Sequence, residues 1–228
     1  MIFIDLAWSA FIYRALGSDK DYVKLMSDEE FLNRLRTRPG DVNTNEFNSK
    51  VKLFLSQWRC RVSNEVGKKI LRFIRNHRDL FNALRTYSLE SLDEEGIKCT
   101  GMAYSEMRKI PGVGPAICAK TLHVLNPAVF MPWDNPILNH FKRQTHCRVN
   151  DNQQGYSEFQ KHAQQAAKNI ELDFRLRGIN SCANQFLSTQ LHYSITKSIA
   201  KYIDEYYWVT ITNKFDIPPI WNPTLMGQ

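Results

Sequence analysis

The sequence predicts an all-α protein, and three observations carry that expectation. Apolar residues recur at helical i, i+3, i+4 spacing along most of the chain, with capping residues ahead of several of these stretches. Gly and Pro fall between those stretches, as in Pro39-Gly40 and Gly112-Val113-Gly114. Only Val209-Thr210-Ile211-Thr212 reads as a strand, and a lone strand has nothing to pair with.

The elements follow in order. Ser27-Asp28-Glu29-Glu30 has the pattern of a capping box opening a helix from Phe31 to Arg36, which Pro39-Gly40 stops. Asn45 to Ser56 is the next helix, with Phe47, Val51, Phe54 and Leu55 on one side. Ser63 caps a helix whose apolar stripe is Val66, Ile70, Phe73 and Ile74. Further helices are expected near 77–86, 88–95, 101–109, 115–125, 135–144, 157–176 and 181–206, with Gly178 as a C-cap. Ile217 to Pro223, rich in proline, reads as an extended strap. There is no internal repeat or low-complexity segment.

A length of 228 residues allows one domain or two closely packed ones, at roughly 100–200 residues per domain. With 43% hydrophobic and 23% charged residues, dominant disorder is excluded. The apolar start from Met1 to Arg14 has no basic segment ahead of it and contains Asp5, a poor fit to a signal peptide. No apolar run approaches the roughly 20 residues of a membrane span. Cys60, Cys99, Cys118, Cys147 and Cys182 are odd in number and scattered, which fits reduced thiols and a cytoplasmic or nucleoid-associated setting. Without close cysteine pairs, a cysteine-held zinc or iron–sulfur site is not expected.

The net charge of +7 and pI near 9.2 point to a polyanionic partner. That charge has an address. Nine basic residues lie between Lys50 and Asp79, against only Glu65 and Asp79. Lys68, Arg72 and Arg75 share one face of the helix after Ser63, either as a solvated rim or as a phosphate-facing stripe.

The segment Lys109-Ile110-Pro111-Gly112-Val113-Gly114-Pro115-Ala116 reads as helix, tight hairpin, helix, with Pro115 near the first position of the second helix. Gly112 and Gly114 permit positive φ and leave backbone N–H groups unscreened. With the positive end of the following helix they suit an anion such as a DNA phosphate; the plainer reading is a glycine-capped turn. Downstream, Phe130-Met131-Pro132-Trp133-Asp134-Asn135-Pro136-Ile137 places Asp134 as the N-cap of a helix, and a fixed carboxylate there is also a candidate catalyst.

Together these two segments resemble the helix-hairpin-helix base-excision DNA glycosylases, the endonuclease III-like superfamily. The match is strong over about residues 105–141 and extends weakly back to about residue 45. It implies two helical subdomains flanking a DNA-binding cleft. Residues 1–40 and 145–228 would form one subdomain. Residues 41–144 would form the other, with the helix-hairpin-helix at about 101–125 and the Asp134 loop. The resemblance assigns catalysis to Asp134: a carboxylate stabilises the sugar as it gains oxocarbenium character and orients the attacking water. In bifunctional relatives a Lys two residues after the second hairpin glycine forms a Schiff base. Here that position is Ala116, which implies a monofunctional hydrolase that leaves an abasic site. Lys120, one turn on, is either a displaced lyase residue or a phosphate contact.

The resemblance also implies no iron–sulfur cluster, since Cys147 and Cys182 cannot supply four ligands, and it admits a monovalent cation on the hairpin carbonyls. The loop of Gln57, Trp58, Arg59, Cys60 and Arg61 corresponds to the family's plug for the vacancy left by a flipped nucleotide, with Trp58 either stacking there or packing in the core. Gly112, Val113, Gly114, Ala116, Lys120, Gln57, Trp58, Arg59, Arg61 and Lys68 are thus the expected DNA contacts. Tyr104, Trp133 and Trp8 are candidates for the base pocket or for structural aromatics. His140, His146 and Cys147 lack metal-ligand spacing, so no metal site is expected.

The implied partner is double-stranded DNA carrying a flipped damaged or modified base, bound by a monomer with no membrane association. The setting is either base repair or attack on modified bases of phage DNA. The rivals are a non-catalytic helix-hairpin-helix DNA-binding module and a glycosylase-lyase using Lys120.

Overall fold

The computed structural model describes residues 2–143, 149–179 and 181–216. Among them are thirteen α-helices and no strand. In chain order these are α1 (Phe3–Ala15), α2 (Lys20–Met26), α3 (Glu29–Thr37), α4 (Thr44–Phe47), α5 (Leu53–Gln57), α6 (Asn64–Asn76) and α7 (Arg78–Ala83). Then follow α8 (Glu94–Arg108), α9 (Pro115–Leu125), α10 (Asn135–Arg143), α11 (Gln153–Leu176), α12 (Ala183–Gln190) and α13 (Ile199–Tyr207). A π-helical turn, Asn48–Lys52, joins α4 to α5, and a second, Trp208–Thr212, prolongs α13.

Local capping explains many of the boundaries. The Ser63 hydroxyl accepts the Val66 N–H and opens α6, as its sequence predicts. Ser27 does not open α3; the cap is Asp28, whose carboxylate accepts the Phe31 N–H at 3.3 Å. The two helices expected at 88–95 and 101–109 are one helix. Ser88 to Ser91 fold into a turn through the Ser91 hydroxyl, and Asp93 then caps α8 by accepting the Gly96 N–H. Asn152 starts α11 four residues earlier than its apolar spacing indicates.

The helix expected over 181–206 breaks in two. His192 adopts a left-handed φ of 52°, and the Tyr193 N–H returns to the Ser188 carbonyl, the closing bond of a Schellman motif. That motif ordinarily advertises itself with glycine, and here it does not. The strand expected over Val209–Thr212 is also corrected. These residues continue α13 because Val209 is buried in the core and Trp208 packs edge-on against Tyr13, so packing overrides β propensity. The strap at 217–223 and the pair His146 and Cys147 lie outside the described residues.

Buried apolar side chains from α1 to α13 form one contiguous cluster. The two ends of the described chain meet in it, α1 packing along α13 and, through Phe3 and Phe174, onto α11. The pairing of α8 with α11 is the most extensive, and it needs Gly101: a Cβ there would lie 2.1 Å from the Ser157 hydroxyl. Beneath α1 and α2 lies a buried charge cluster. Lys201 Nζ reaches Asp204 Oδ2 at 2.7 Å, and Lys197 Nζ reaches Glu205 Oε1 at 2.7 Å. Beside it His123 is wholly buried, with Nδ1 on the Phe130 carbonyl and Nε2 on the Tyr22 hydroxyl, and burial pushes its pKa down to about 4. No helix among the described residues is long and apolar enough to cross a membrane.

Candidate functional site

The hairpin forms as its residues dictate. Pro111 and Gly112 occupy the two central positions of a turn closed by the Val113 N–H on the Ile110 carbonyl at 3.0 Å. Gly112 has φ of +91°, the arrangement of a type II turn. Gly114 differs from expectation: its φ is −79°, so it needs no left-handed freedom. A Cβ on Gly114 would meet nothing within 4 Å, and among the described residues its N–H donates no hydrogen bond. Pro115 then takes the first turn of α9.

Val113 turns its side chain into the core, and its N–H is spent on the turn. Its carbonyl accepts from the Arg108 guanidinium, which Asp151 anchors through bonds of 2.8 and 3.1 Å. A guanidinium on that carbonyl opposes the monovalent cation that the resemblance admits on the hairpin carbonyls.

Tyr104 and Trp133 support the hairpin from below. Tyr104 is fully buried, stacks on Tyr156 at 4.3 Å and donates its hydroxyl to Asp151 at 2.6 Å. Trp133, equally buried, packs edge-on against both tyrosines. Neither offers a free face to a base, so of the two readings open to them the structural one fits. Trp8 stacks on Phe11 of α1 and is not among the residues around the cavity described next.

That cavity, about 460 Å³, brings together Asp134, Lys120, Ala116, Gln57, Trp58 and Arg59. Asp134 is half-buried at the start of α10. Its Oδ1 accepts the Ile137 N–H at 2.9 Å, and its Oδ2 accepts the Thr212 hydroxyl at 3.0 Å. Burial raises its pKa above the ordinary carboxylate value, opposed by those two hydrogen bonds and by the charge of Lys120. The carboxylate is therefore both a cap and part of the cavity wall.

On α9, Ala116 and Lys120 stand one turn apart and face the same space. Lys120 is tethered: Nζ donates to the Trp58 carbonyl at 3.2 Å and lies 5.3 Å from the centre of the Trp58 ring. Trp58 itself is a wall. Its ring lies against Phe54 and Tyr22, with Lys201 Nζ 4.8 Å from the ring centre. The residues that protrude beside it are exposed Gln57 and exposed Arg59, the latter at a left-handed φ of 60°.

The basic stripe runs into this region. Val66, near the start of α6, packs against Gly112, and the exposed Lys68 and Arg72 follow along α6, with exposed Arg61 just ahead of it. Arg75 leaves the stripe. Its guanidinium donates to the carbonyls of Pro39 and Val42 and ties α6 to the turn after α3.

Among the cavity residues not legible as site residues in the sequence are Tyr13, Asp204, Trp208 and Thr212. The last three are spaced by four residues and line one side of α13 and its π-turn. That spacing would have exposed them had Val209–Thr212 not looked like a strand. Asp204 holds Lys201 through one oxygen, and its charge adds to the pKa rise at Asp134. Among the described residues no group of three or more His, Cys, Asp or Glu is placed to hold a metal.

In comparisons with known proteins the chain matches no family model, and no curated protein or solved structure matches it significantly.

Proposed function

We propose that this chain is a monofunctional DNA glycosylase of the helix-hairpin-helix kind, removing a damaged or modified base from duplex DNA by hydrolysis of its N-glycosidic bond. One observation carries the reading. The Asp134 carboxylate, held by Ile137 and Thr212, opens onto a cavity shared with the 57–60 loop and with the face of α9 that begins at the hairpin.

A DNA phosphate binds the open N–H of Gly114 at the positive end of α9, a contact blind to base sequence. Arg61, Lys68 and Arg72 hold further phosphates. The target nucleotide swings out of the stack into the cavity, and Gln57 and Arg59 occupy the space it leaves. As the C1′–N bond breaks, the base departs with the electron pair and takes up a proton, while positive charge grows on the sugar. Asp134 faces that charge and accepts a proton from water as the water oxygen bonds to C1′. Burial makes this carboxylate a stronger proton acceptor than one in solvent. Ala116 has no amine, and Lys120 is tied to the 57–60 loop, so the product is an abasic site rather than a nicked strand.

The reaction serves either repair or attack on modified foreign DNA. The test is to incubate the protein with duplexes carrying a panel of modified bases and compare strand cleavage with and without alkali. Alkali-dependent nicking that Asp134→Asn abolishes is the expected result. Nicking without alkali favours a lyase using Lys120, and full activity in Asp134→Asn overturns the assignment.

A further inference from the structure

A second cavity, about 950 Å³, lies apart from Asp134 and has no part in the proposed reaction. Its wall includes Arg36, Arg85, Asn33, Asn126, Thr196 and Ser198. Arg36 and Arg85 also line, with Arg78, an adjoining crevice of about 10 Å³ beside Pro39 and Phe81, too narrow for an anion, so the three guanidinium groups can meet one only at its mouth. The three guanidinium groups come from separate elements: α3, α7 and the 3₁₀ turn Leu84–Thr86.

None of the three is in an ion pair among the described residues, and the undescribed residues contain no Asp or Glu. Glu29 is the one carboxylate on the larger cavity's wall, and it pairs with none of them. Arg36 is held in place because Nε and Nη2 both donate to the Val124 carbonyl, at 3.2 and 2.7 Å. Burial, and then the neighbouring Arg85 charge, weakens its hold on its proton; burial and Arg78 do the same to Arg85. Like charges gathered at the edge of a cavity, one of them half-buried and fixed, form a receptor for an anion. The amides and hydroxyls around the cavity supply hydrogen bonds for the rest of such a ligand, and the volume is that of a small-molecule site.

Val124 is the last residue but one of α9, which the hairpin begins, so the carbonyl that holds Arg36 lies roughly 15 Å along the helix from the hairpin. We propose that Arg36, Arg78 and Arg85 bind the phosphate of a nucleotide whose nucleoside occupies the adjoining cavity. That nucleotide is either free or the end of a nucleic-acid strand.

Calorimetric titration of the full chain with deoxyadenosine monophosphate, inorganic phosphate and a 5′-phosphorylated single-stranded octanucleotide tests this. Binding of the mononucleotide, weakened at least tenfold in Arg78→Ala/Arg85→Ala, is the expected result. These arginines are exposed, so the variant keeps the wild-type melting curve. Binding of the octanucleotide alone, with the same tenfold loss, identifies a strand end as the source. The proposal is overturned if no probe binds at millimolar concentration, or if the double variant binds as wild type does. A loss in Asp134→Asn equal to that in the arginine variant also overturns it, by placing the ligand in the first cavity. None of these readings depends on glycosylase activity.

Discussion

The two hairpin glycines are chemically identical and should fail differently when replaced. In Gly112→Ala the new side chain sits at a φ of +91°, and its Cβ falls 2.7 Å from Val66 Cγ2. The left-handed backbone costs roughly 1–2 kcal/mol and the overpacking roughly 1–3 kcal/mol. Partial relaxation of Val66 leaves a net loss of about 2–4 kcal/mol, which for a chain of this size lowers Tm by roughly 5–15 °C. In Gly114→Ala, φ is −79° and the Cβ meets nothing within 4 Å, so stability stays within about 0.5 kcal/mol of wild type. The added methyl group instead stands beside the N–H assigned to the phosphate. Urea melts followed by circular dichroism, together with anisotropy of a labelled duplex, separate the two effects. Gly112→Ala should lose stability, whereas Gly114→Ala should stay folded and lose DNA affinity. Equal destabilisation would refute the geometric reasoning, and a folded Gly114→Ala with wild-type affinity would refute the phosphate role.

Other perturbations have signs set by the structure. Thr212→Val removes a hydrogen bond that favours the Asp134 carboxylate, so the acid limb of the pH–rate profile should move to higher pH; an unmoved limb would remove Thr212 from the site. His123 is neutral in the fold, with a pKa near 4 against an ordinary 6.5, so its contribution is complete above pH 6.5 and lost as pH falls toward 4. That loss is about 3 kcal/mol, read by urea melts at pH 7 and pH 4.5, and His123→Gln should flatten the difference. Lys201→Met strands Asp204 without its cation, while Glu205 keeps Lys197, and should cost about 3–5 kcal/mol in the same melts.

The hairpin and Asp134 are legible in sequence because turn and cap chemistry is local. A proline and a glycine at the centre of a turn, or an aspartate three residues ahead of an N–H it accepts, require only neighbours in the chain. The same holds for Ser63 and for the all-helical class. Local signals failed where packing or an unusual residue took over. His192 performs a glycine's task at the end of α12, and burial of Val209 makes a helix of a β-branched run. Arg75 has the spacing of a phosphate contact, yet two carbonyls beyond α3 claim it.

The sequence by itself therefore determines the fold class, the hairpin, the cap at Asp134 and the basic segment between Lys50 and Asp79. Only the tertiary structure decides that Tyr104 and Trp133 are supports. It alone makes Trp58 a wall and joins Thr212, Asp204 and Tyr13 to Asp134 across one cavity. The reason is distance along the chain. Periodicity, capping and turn preference act over a few residues, whereas that cavity is assembled from positions 13 to 213, which meet only when α1 and α13 close the core.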